Sequence, residues 1–111
     1  MKTNQKNISI INKHCRLEGT LDFTGYLIVA GSIHGTLNAE TVITEEASHV
    51  SATVHVSSLT VAGSFDGDIT TTGTLTLLKT AHVNASIKYG RLIIEDGCTL
   101  NGKIMSNTDG S

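Results

Sequence analysis

Proline is absent from this chain, and so is tryptophan. A Pro inside a central strand deletes a ladder hydrogen bond, so its absence suits a molecule made of strands. Two Phe and two Tyr are the only aromatics, too few for a platform on which bases or sugars stack. Charge is also sparse. Eight Lys and Arg stand against ten Asp and Glu, the cations are scattered singly, and no basic stripe is left for a phosphate backbone. Nucleic acid is therefore excluded as an expected partner, and so is a small-molecule substrate needing an aromatic or Gly-rich phosphate cradle. No apolar run approaches the roughly 18 residues that span a bilayer. The first residues lack the apolar core of a secretion signal. The expectation is a cytoplasmic protein that touches a membrane, if at all, from its inner face. Two cysteines, Cys15 and Cys98, make no disulfide framework.

What the chain has in abundance is a repeated five-residue pattern: apolar, any, Gly or Ala, any, apolar. Its copies are Leu17, Gly19 and Leu21; Ile33, Gly35 and Leu37; Val50, Ala52 and Val54; Phe65, Gly67 and Ile69; Val83, Ala85 and Ile87; Leu100, Gly102 and Ile104. Successive starts at 17, 33, 50, 65, 83 and 100 differ by 16, 17, 15, 18 and 17 residues. That quasi-period suits one turn of a β-solenoid and is too short for a pair of helices. Within each copy the apolar and small residues alternate with polar ones at period two, so they share one face of a strand, which must be the inside. The fold class is all-β: a single parallel β-helix of about six turns. Its core is a continuous column, stabilised by stacking turn on turn.

Each turn carries a second apolar pair after the motif: Leu27 and Val29, Thr41 and Ile43, Leu59 and Val61, Leu75 and Leu77, Leu92 and Ile94. A third inward position follows at Phe23, Ala39, Val56, Thr71, Tyr89 and Ser106. Three short strands per turn, joined by corners rich in Gly, Thr, Asn and Asp, imply a roughly triangular cross-section. Ile8 and Ile10 read as the apolar pair of a partial first turn. The domain organisation is then a polar head at 1–7, the β-helix at 8–106 and a polar tail at 107–111.

Chemistry is hard to place on this frame. Stacking sorts side chains into columns, and His49 and His82 share one with Ser64 between them. Two turns put them roughly 9.6 Å apart, too far for shared metal ligation. His34 stacks on Glu18 as a surface pair worth little, and His14 and His55 fall in other columns. Asp66 and Asp68 flank Gly67 on an outward face about 6.5 Å apart with no pocket implied, and read as solubilising charges. Cys15 and Cys98 occupy the same corner position five turns apart, roughly 24 Å, beyond disulfide reach. Their column mates Gly31, Ser48, Gly63 and Ala81 are all small, which makes them corner residues. No Ser-His-Asp or Cys-His constellation occurs. We expect no catalytic residues, no metal and no cofactor.

Association is the better expectation. A β-helix stops at an unpaired strand edge and an open section of core, which proteins normally cap. No amphipathic helix precedes Cys15 or follows Ile104, so the end surfaces, formed by Ile8, Ile10, Leu17 and Leu21 at one end and Leu100 and Ile104 at the other, favour end-to-end self-association. An outward column of Ile28, Val42 and Ile93, with Thr60 and Thr76, is a candidate lateral contact, although β-branched residues favour strands whichever way they point.

The motif, its spacing and the open ends resemble the bactofilins, bacterial cytoskeletal proteins. The similarity covers residues 8 to 106 and is most marked over residues 27–35, 59–67 and 81–87. It implies a right-handed β-helix that polymerises without nucleotide into filaments. Such filaments scaffold cell-shape or envelope machinery, including peptidoglycan-synthesis proteins, often at the membrane. Membrane targeting in that family lies in the N-terminal stretch, represented here by Lys2, Lys6, Ile8, Ile10 and Ile11. Two other classes are weighed beside it. A hexapeptide β-helix acyltransferase would need a strict six-residue step, which Leu21, Leu27 and Ile33 follow but Leu37 breaks. A β-helix adaptor that does not polymerise would share the fold and lack the filament.

Overall fold

The computed structural model describes residues 8–106. The head at 1–7, with Lys2 and Lys6, and the tail at 107–111 lie outside the described residues. Within them two kinds of strand alternate along the chain, with no helix. The short ones are β1 (Ile8–Ile11), β3 (Tyr26–Val29), β5 (Thr41–Thr44), β7 (Ser58–Val61), β9 (Thr74–Leu77) and β11 (Arg91–Ile94). The long ones are β2 (Arg16–Asp22), β4 (Ser32–Asn38), β6 (His49–Val56), β8 (Ser64–Thr71) and β10 (His82–Tyr89). The last turn carries β12 (Thr99–Asn101) and β13 (Ile104–Ser106). Short strands pair only with short and long only with long, in parallel, giving the orders β1-β3-β5-β7-β9-β11 and β12-β10-β8-β6-β4-β2, with β13 also on β10. This is a β-solenoid of about 6 turns, 17 residues apart.

The expected three short strands per turn appear as one long and one short. In β6, β8 and β10 motif and third position run together because the ladder continues past the motif's second apolar residue, as in the pairing of Val56 with Thr71, whereas β2 and β4 end immediately before Phe23 and Ala39. Only in the last turn does the long strand part, at Gly102 and Lys103, and both halves pair with β10.

Register builds the core. Leu17, Ile33, Val50, Phe65, Val83 and Leu100 form one column, and Leu21, Leu37, Val54, Ile69, Ile87 and Ile104 a second. The β6 strand shows the cause, alternating exposed or half-exposed polar residues with buried apolar ones throughout. Each fully buried Leu or Ile contributes about 2 kcal/mol. Where the motif carries Gly, φ is positive. A Cβ on Gly35 would collide with the carbonyl oxygen of Gly19, one turn before. Ala52 and Ala85 hold the same place with ordinary φ and bury their methyl groups. Buried side-chain nitrogen and oxygen atoms are all partnered among the described residues. Thr44, inside an aliphatic column, accepts from the Ala62 N–H at 3.1 Å and donates to the Thr60 carbonyl at 3.4 Å.

Two strands sit one residue away from the expected register. In β5, Val42 pairs with Leu27 and Leu59 and is 1% exposed, so Val42 and Thr44 face the core while Thr41 and Ile43 face outward. In β1, Ile11 pairs with Val29 and is buried, whereas Ile8 and Ile10 point away from the core. A single-residue shift exchanges the faces of a whole strand.

Candidate assembly surface

Both core columns run out at the ends of the coil. Ile33 and Leu37 in β4 are sealed, but Leu17 and Leu21, one turn earlier, are half-buried, with no strand before β2 in their columns among the described residues. At the other end Leu100 and Leu92 are half-buried, and Ile94 and Ile104 are 48% and 41% exposed. The edge strands are β1 and β2 at the first end, and β11 with β12 and β13 at the last. The free backbone groups along these edges are a template for a further strand. Gly19 reports the open edge directly: it has a positive φ of +110°, as Gly35, Gly67 and Gly102 of the same column do, yet a Cβ there would meet nothing within 4 Å.

The outer face of the short-strand sheet carries Ile10, Ile28, Ile43, Thr60, Thr76 and Ile93 in one column. Val42, expected there, is in the core, and Ile43 takes its place. Of the residues expected to meet a membrane, Ile8 and Ile10 are 62% and 63% exposed, but Ile11 is sealed beneath Val29 and cannot touch lipid in the folded coil. The sequence reading missed Ile94 and Met105, both exposed in the last turn. Ile94 was legible as the final member of the column through Val29 and Leu77, whereas nothing in the alternation marks Met105.

The histidines fall where the columns put them. His49 and His82 flank Ser64, and His34 stacks between Glu18 and Ser51. All five are exposed. Glu18 pairs with Arg16 in its own strand, at 3.3 Å, rather than with His34. Asp66 and Asp68 are exposed on the outer face of β8. Among the described residues no group of three or more His, Cys, Asp and Glu is placed to hold a metal ion. A groove of about 330 Å³ crosses the outer face of β6, β8, β10 and β13, edged by His55, Asp68, Lys88, Lys103 and Met105. No helix among the described residues is long and apolar enough to cross a membrane. Cys15 and Cys98 are free thiols.

Neither a search of curated proteins nor one of solved structures returned a match. A family profile described as polymer-forming cytoskeletal matches residues 9–105, nearly the whole coil. That family is structural rather than enzymatic. Its match covers both open ends and every copy of the repeat, and on it, with the stacked parallel turns, the chain belongs to the bactofilin family.

Proposed function

We propose that this chain polymerises end to end, without nucleotide, into cytoplasmic filaments that scaffold cell-shape or envelope machinery. One observation carries the reading. Among the described residues every exposed large hydrophobic side chain lies in the first turn or the last: Ile8 and Ile10 at one end, and Ile93, Ile94, Ile104 and Met105 at the other. The middle turns have none. Apolar surface gathered where strand edges are free is what an end-to-end joint would remove from water, and the family's polymer-forming character agrees. Purified protein in EDTA, with and without ATP or GTP, is expected to pellet and to show filaments by electron microscopy in every condition. A strict nucleotide or metal requirement would refute nucleotide-free assembly, and a stable monomer would favour the adaptor instead.

Two further contacts belong to this reading. Ile28, Ile43 and Ile93 form the face for lateral contact between filaments. Ile8 and Ile10, following Lys2 and Lys6, form the membrane contact, a short signal of marginal strength. Replacing Ile8 and Ile10 together by Ser is expected to lower co-sedimentation with anionic vesicles several-fold without changing circular dichroism. Unchanged lipid binding would remove the membrane role from these residues.

A further inference from the structure

The corner column that starts with Cys15 and ends with Cys98 is closed everywhere except at those two residues. In the turns between, Ser48 and Ala81 are completely buried. A Cβ on Gly31 would collide with the carbonyl oxygens of Asn12 and Cys15, and one on Gly63 with those of Glu45 and Ser48. Each of these corners is therefore packed against the turn before it, leaving room for a small side chain only. Cys15, in the first described turn, is exposed, and Cys98, packed on the edge of the core in the last described turn, is half-buried. The chain's only two thiols thus stand in a column that stacking closes, one in the first described turn and one in the last.

We infer that end-to-end assembly is gated by these thiols: a mixed disulfide between Cys15 or Cys98 and a small disulfide blocks the joint at that end. The inference rests on the end-to-end reading. In the step, the cysteine thiolate attacks one sulfur of the small disulfide, a new S–S bond forms, the old one breaks, and the other half departs as a thiolate. The added group finds no space beneath a further turn and must occupy the place where that turn would dock. A small thiol reverses the exchange.

The test dilutes full-length protein from urea into assembly buffer containing either oxidised or reduced glutathione. With reduced glutathione, filaments form. With oxidised glutathione, folded particles no longer than a dimer are expected, as judged by circular dichroism and sedimentation, and dithiothreitol restores the filaments. The double variant Cys15→Ser, Cys98→Ser carries the residue that Ser48 already places in this column, and is expected to assemble in both buffers. In preformed filaments both thiols should react with the disulfide at least ten-fold more slowly than in the diluted chain before assembly. Long filaments carrying the adduct, or thiols equally reactive before and after assembly, would overturn the gate while leaving polymerisation standing. Absence of filaments in the reduced buffer would overturn polymerisation itself.

Discussion

Ile69 and Ile104 stand in one register column, two turns apart, and differ in what lies on their far side. Ile69 is held between Val54 and Ile87 and is 1% exposed; among the described residues Ile104 has only Ile87 beside it in the column. Ile69→Lys buries an ammonium with no partner, a cost of several kcal/mol against a typical total stability of about 5–15, and is expected to yield unfolded or insoluble protein. Ile104→Lys can turn its charge into water along an apolar stem and should cost about 1–2 kcal/mol. It is expected to keep the circular dichroism of the coil while losing filaments. Normal filaments from a well-folded Ile104→Lys protein would exclude this end as an assembly surface. Residue identity alone tells the two isoleucines apart only through their place in the repeat count, which the motif supplies directly.

At the scale of elements, the corners explain why the repeat is uneven. Four-residue corners close with an N–H to carbonyl bond from Cys15 to Asn12, Ser48 to Glu45, Ala81 to Leu78 and Cys98 to Glu95. Between β3 and β4, and again between β7 and β8, the chain turns in two residues, Ala30 with Gly31 and Ala62 with Gly63. Motif steps of 17, 18 and 17 contain the longer corner, and steps of 16 and 15 the shorter. This also shows where the register of β1 and β5 was hidden. Thr41 to Thr44 has one apolar residue on each face, so alternation decides nothing, and a buried Thr44 is acceptable only because the Ala62 N–H and Thr60 carbonyl satisfy it. Spacing does decide: Ile11 precedes Leu17 by six residues, as Leu77 precedes Val83, whereas Ile10 would precede it by seven, a distance no other turn uses. A pair of charges reads the register of β5. Ile43→Lys should leave melting temperature within a few degrees of the native protein, and Val42→Lys should abolish the cooperative transition. The reverse ranking would restore Val42 to the outer face.

For the whole molecule, the fold was legible because six copies of one pattern leave few alternatives. The distribution of exposed hydrophobic side chains between ends and middle was not legible, since the outward column mixes Ile and Thr and only the stacking order shows that Thr60 and Thr76 hold the centre. The stacking order also has a consequence in time. Strand partners are always one turn away along the chain, as Leu17 is from Ile33 and Asp68 from Ser86. Closing a loop of that length costs about 2.5 kcal/mol beyond a constant, and the figure does not grow as turns accumulate. A chain emerging from the ribosome meets each pairing partner as soon as the next turn is out, in the order in which the coil is read. Folding is then a zipper with one slow first pairing and fast additions after it. An unfinished coil has the same kind of growing edge as a finished one, so under the proposed end-to-end joining the synthesis of the last turn and the arrival of a second copy compete for the same strand.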